Sequence, residues 1–176
     1  MLTADEFRAE QRGVARAAAL AAALTCLAFG AAFIVAAAPD HAGPAERLAF
    51  TVRADTVVML TLVAAVANVA RLRFFSPHDI AGSAGGDPGK AVGRAGAILQ
   101  NTLEQAVIAV FAHITVSLTV DAYRILVPTL VGLFVIGRVL FWMGYDRGAV
   151  GRALGFGLTF YPSVAGLVVG MVAGLS

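Results

Sequence analysis

Residues 17–38 read AAALAAALTCLAFGAAFIVAAA, an apolar run without a single charge, closed by Pro39-Asp40. At about 1.5 Å of rise per residue, one helix of this length crosses roughly 30 Å of hydrocarbon. Only a helix or a closed barrel satisfies its backbone there, and so long an uninterrupted run is the helical solution. The rest of the chain has the same character: 59% of the 176 residues are hydrophobic, 14% are charged, and the mean hydropathy is +0.83. Those values lie outside the habit of soluble domains and predict an all-α, integral membrane helical bundle in contact with the lipid bilayer.

A signal peptide is the competing reading of the first run, because Arg8, Arg12 and Arg16 precede it and Ala36-Ala37-Ala38 suits cleavage. Against it, the leader carries Asp5, Glu6 and Glu10, and the run exceeds the roughly 7–15 residues of a signal core. The first helix is therefore expected to stay as a span. The net charge of +2 and the scattered basic residues argue against a nucleic-acid partner. A single cysteine, Cys26, rules out an intrachain disulfide, and Leu24-Thr25 before it does not suit lipid attachment.

Four further helices are expected, over about 50–70, 94–120, 122–145 and 153–176, with tight turns between the last three. The long loop, 74–93, holds Ser76-Pro77, Gly85-Gly86 and Asp87-Pro88. Gly89-Lys90 within it does not make a phosphate loop, since Ala84 and Ala91 stand where a glycine and a hydroxyl are needed. Residues 1–45 form a leader and an extra transmembrane helix, and 46–176 a four-helix membrane domain. With the N-terminus inside, Arg8, Arg12, Arg16, Arg71, Arg73, Lys90, Arg94, Arg147 and Arg152 fall on the cytoplasmic side; only Arg47, Arg53 and Arg124 fall outside. That asymmetry obeys the positive-inside rule and predicts a cytoplasmic N-terminus, most simply in a bacterial inner membrane. Gly166, Gly170 and Gly174 make a ridge of small residues for close helix packing.

The polar residues inside the middle helices carry the functional signal, because an unpaired charge in hydrocarbon is costly. Glu104 lies ten residues in from Arg94, and Arg138 lies nine residues in from Arg147, depths of about 15 and 13 Å. Equal depth predicts an ion pair between the third and fourth helices, with Asn101 and Arg94 on the face of Glu104 and Tyr145 on the face of Arg138. A polar clamp that only fixes helix packing is the alternative meaning of this group. His113 has no companion at metal spacing in His41 or His78, so a core histidine and no metal are expected.

From about Ala54 onward the chain resembles the MAPEG family, the membrane-associated proteins of eicosanoid and glutathione metabolism. Three ordered segments carry the resemblance. They are Arg71-Leu72-Arg73-Phe74-Phe75-Ser76-Pro77, then Arg94 with Asn101-Thr102-Leu103-Glu104, and then Arg138-Val-Leu-Phe141-Trp-Met-Gly144-Tyr145-Asp-Arg147 followed by Arg152. It implies a homotrimer of four-helix subunits that binds glutathione as a substrate between neighbours, the first helix being an addition. It also implies tripeptide-binding roles for Arg71, Arg94, Asn101, Glu104, Arg138 and Tyr145. Arg152 would be the catalytic cation beside the sulfur and the partner substrate a small lipophilic electrophile. Two positions depart from the family pattern: Ala97 replaces an arginine and Phe141 an aromatic hydroxyl or an imidazole. Three function classes follow: a glutathione-dependent transferase or peroxidase, a non-catalytic lipid-binding scaffold, and a small transporter subunit. The last lacks internal repeats and broken midplane helices.

Overall fold

The computed structural model describes residues 3–36 and 42–175. The Pro39-Asp40 stop, His41 and the cleavage alternative at 37–38 lie outside the described residues. Five long helices follow one another among those described: α1 (Ala4–Val35), α2 (Pro44–Phe74), α3 (Lys90–Thr119), α4 (Tyr123–Gly144) and α5 (Gly148–Ala173). Four stretches are long and apolar enough to cross a bilayer, the last being α4 and α5 taken together as Tyr123–Ala173.

Helix α1 begins well before the apolar run. Thr3 caps it, accepting a hydrogen bond from Glu6 N while the Glu6 carboxylate accepts one from Thr3 N (3.3 and 2.8 Å). The charged leader expected ahead of the span is thus the first turns of the same helix. Helix α2 starts on Pro44, whose missing N–H costs nothing at the first helical position, and closes with Arg71 and Arg73 over its last carbonyls. Asp79 organises the loop that follows, accepting hydrogen bonds from Ser76 Oγ (2.6 Å) and Gly89 N (2.7 Å). These bonds, the hydroxyl first, hold its carboxyl down to about 2.

Around the bundle the order is α2, α3, α5, α4, and α1 lies against α5. The glycine ridge of α5 meets α3, where a Cβ on Gly170 would come within 2.7 Å of the Thr115 side chain. A second glycine seam joins α4 to α5: a Cβ on Gly144 would sit 1.9 Å from the Gly151 carbonyl, and one on Gly155 2.3 Å from the Phe141 nitrogen. Gly148, at φ +76°, turns the chain between them. Helix α1 docks with equally small residues, Gly13 against Val150 and Ala21 against Gly157.

The core gathers Tyr123, Leu126, Leu130 and Phe134 of α4 with Val116 of α3, Val58 of α2 and Phe29 of α1. Outward, Leu27, Ile34, Phe111 and Met171 are 59–85% exposed. Apolar side chains of that size facing out all round the bundle make a lipid-facing surface.

Candidate functional site

Arg152 sits one turn into α5, and Tyr145 lies on the short turn that precedes it. Because Gly148 and Gly151 permit a tight reversal, the Arg152 guanidinium lies over the Tyr145 ring, 5.0 Å from its centroid. The Phe141 ring meets Tyr145 edge-on at 5.5 Å. Asn101 of α3 reaches the same space. Together they line a cavity of about 460 Å³, completed by Ala97 and by Val14 and Ala18 of α1. A cation, a phenol and an amide thus converge on one concave surface with apolar walls, the make-up of a small-molecule site.

The ion pair expected between Glu104 and Arg138 does not form. Arg138 is buried and donates through Nη1 to Asn101 Oδ1 (2.8 Å) and through Nη2 to Thr159 Oγ1 (2.7 Å). Glu104 is exposed and accepts a hydrogen bond from the Gln100 amide (2.9 Å). Arg138 turns inward between α3 and α5 while Glu104 faces out of α3, so the two charges do not meet.

Arg94, expected on the face of Asn101, is exposed and bonded to Asp146 at the mouth of the α4–α5 turn. Arg71 is exposed and bonded to Asn68 Oδ1 (3.1 Å). Neither lines the cavity. Within one chain, the cavity brings Arg152, Tyr145 and Asn101 together, and Arg138 supports Asn101 from behind. Arg94, Arg71 and Glu104 stand apart on the surface. Arg147 is exposed and does not line the cavity either.

Two features escaped sequence reading. Glu10 of α1 accepts a hydrogen bond from Ala149 N (3.1 Å) at the start of α5, pinning α1 beside the cavity. His113 is indeed a buried core histidine, and its Nδ1 is 2.5 Å from Asp55 Oδ1. Asp55 of α2 is itself buried. No group of three metal-ligating side chains occurs among the described residues.

The lipid-facing helices define a multi-pass membrane protein, and the arginine-bearing cavity lies between them. A model of the MAPEG family matches residues 48–172, from α2 to the end of α5, and the chain belongs to the MAPEG family. It is similar to transmembrane protein 79 of Mus musculus, at 29% identity over 89% of this chain, and to transmembrane protein 79 of Bos taurus, at 28% over the same share. The chain spans about 40% of the length of these relatives. The similarity leaves out fewer residues than α1 contains, whereas the family match begins after α1. No solved structure matches.

Proposed function

We propose that the protein is a membrane-bound glutathione-dependent transferase or peroxidase that acts on lipophilic electrophiles through a glutathione thiolate. The observation that carries this reading is the convergence of Arg152, Tyr145 and Asn101 on one cavity in a chain of this family. A free thiol titrates near ~8.5 and only the thiolate is a useful nucleophile. Lowering that value by about two units takes roughly 2.7 kcal/mol of preference for the anion. A guanidinium in a half-dry cavity supplies it, and Arg152 is the cation that lines this one. The thiolate sulfur then bonds to an electrophilic carbon, whose leaving group departs with the displaced electron pair.

Tyr145 and Asn101 offer a hydroxyl and an amide to the tripeptide's polar groups. In a homotrimer, the exposed Glu104, Arg94 and Arg71 would reach a tripeptide held against the neighbouring subunit. The N-terminus then lies in the cytoplasm of a bacterial cell, with the cavity at the inner-leaflet side. Calorimetric titration of the purified protein with glutathione, followed by conjugation to 1-chloro-2,4-dinitrobenzene, tests the reading. Saturable heat with chloride release supports it; no heat refutes it.

A non-catalytic lipid-binding scaffold is the second reading, and specific residues favour it. Ala97 and Phe141 present no hydrogen-bonding side chain to the cavity, and Arg94 is engaged by Asp146.

A further inference from the structure

Helix α1 precedes the residues matched by the family model, yet Val14 and Ala18 of this helix wall the Arg152 cavity. Three contacts set its register on α5, with the two helices running in the same direction. Glu10 meets Ala149, Gly13 meets Val150, and Ala21 meets Gly157. Along that register Val14 stands level with the turn that carries Arg152, and Ala18 stands midway between Arg152 and Gly157.

The cavity is uneven along this direction. At its lower end the Arg152 guanidinium turns back over the Tyr145 ring, as helical side chains lean towards the N-terminus, and Asn101 adds its amide. The upper end has a ceiling. A Cβ on Gly157 would lie 2.6 Å from the Ala21 side chain and 3.2 Å from Cε2 of Tyr161, so Ala21 and the Tyr161 ring both pack onto this glycine. Ala21 is fully buried there. Between Arg152 and the ceiling α5 rises by about 7.5 Å, the scale of a single aromatic ring. Phe141, Tyr145, Phe156 and Tyr161 offer ring faces and edges to this short space.

We propose that the chamber between Arg152 and Gly157 takes the ring of a compact aromatic electrophile, and that Ala18 of α1 and Tyr161 of α5 set its size limit and exclude long-chain electrophiles. The aromatic walls select a ring, and the ceiling limits its length. Ala18 limits its width, because any larger side chain at that position extends into the chamber. The chemistry rests on the thiolate reading: the sulfur held at Arg152 bonds to a ring carbon, and a halide leaves with the electron pair of the broken bond. The size limit rests on the docking of α1 and holds whether or not the thiolate forms.

The experiment uses the full chain in phosphatidylcholine nanodiscs with saturating glutathione. Chloride release is followed from 4-chloro-3,5-dinitrobenzamide carrying either an N-methyl or an N-dodecyl group, two substrates with the same reacting ring. Wild type should favour the N-methyl amide in kcat/KM by about tenfold or more, the discrimination a close-fitting apolar pocket provides. Tyr161→Ala should narrow that preference by raising turnover of the N-dodecyl amide, a gain that misfolding cannot produce. Ala18→Phe should lower turnover of the N-methyl amide about tenfold while the heat of glutathione binding persists. A second arm needs no glutathione. In a Cys26→Ser background, Ala18→Cys and Leu27→Cys are each labelled with N-phenylmaleimide or its 4-dodecylphenyl analogue, Leu27 on the lipid-facing side reporting membrane partition alone. The preference for the short reagent should be about tenfold greater at position 18 than at position 27. Equal preference at the two positions, or a wild-type substrate preference unchanged by Tyr161→Ala, overturns the proposal. Absence of chloride release with the labelling preference intact would refute the thiolate reading while upholding the chamber and its size limit.

Discussion

Arg138 of α4 and Asn101 of α3 are joined by a 2.8 Å hydrogen bond that fixes the amide at the edge of the Arg152 cavity. The bond crosses from one helix to another, so each residue constrains the other's helix as well as its side chain. Asn101 accepts with its Oδ1 and so keeps its amide N–H groups for other partners.

The first prediction follows from that bond. In a double-mutant cycle, Asn101→Ala and Arg138→Gln should show a coupling of about 1.5–3 kcal/mol, the range for a hydrogen bond to a charged group. Glu104→Gln and Arg138→Gln should be additive within about 0.5 kcal/mol. Denaturant unfolding in detergent micelles measures both, and strong coupling of Glu104 to Arg138 would contradict the geometry.

Helix α4 supplies the second prediction, since its glycines differ in surroundings. Gly144→Ala forces a methyl against the Gly151 carbonyl and should cost about 3 kcal/mol or more, whereas Gly132, with nothing within 4 Å of an added Cβ, should accept alanine with no loss. Thermal melts of the two variants in one detergent check this. Equal melting temperatures would show that the seam between α4 and α5 is looser than described.

The third prediction concerns acid. Asp79 has a carboxyl held at about 2 in the folded loop against an ordinary value of 3.8. A depressed carboxylate contributes stability in full above its unfolded value and loses it as pH falls through the folded one. The loop 75–89 should therefore stay closed above about pH 4 and open progressively towards pH 2, and Asp79→Asn should open it at every pH. Hydrogen exchange of the Gly89 amide, which donates to Asp79, reads this directly. Pepsin cleavage in 75–89 gives a second view at low pH. A wild-type loop as open at pH 6 as at pH 2.5 would remove Asp79 from the role.

Much of this molecule was legible in the sequence, because apolar runs bounded by arginines and turn residues dictate transmembrane helices almost independently of tertiary context. The start of α1 was less so. Thr3 and Glu6 do spell a capping box, but the charges that follow masked the continuity of the helix. Sequence separation does not tell which way a side chain points, and Arg138 takes Asn101 and Thr159 as partners while Glu104 faces out of α3. The meeting of Tyr145 with Arg152 was inferable from a seven-residue spacing around two glycines. The contribution of Val14 and Ala18 to the cavity was not, because alanines and valines give no local signal of the surface on which they dock. Asp55 and His113 are 58 residues apart, and only the fold joins them.

The central claim is that Arg152 stabilises a glutathione thiolate in the cavity it shares with Tyr145 and Asn101. The direct measurement is the ultraviolet absorbance of bound thiolate, titrated with pH for wild type, Arg147→Ala and Arg152→Ala. Wild type and Arg147→Ala should develop the thiolate signal about two pH units below the ~8.5 of the free thiol. Arg152→Ala should bind the tripeptide yet show the signal only near the free value. An unchanged signal in Arg152→Ala would contradict the assignment of that residue, and no signal in wild type would leave the scaffold as the better account of the protein.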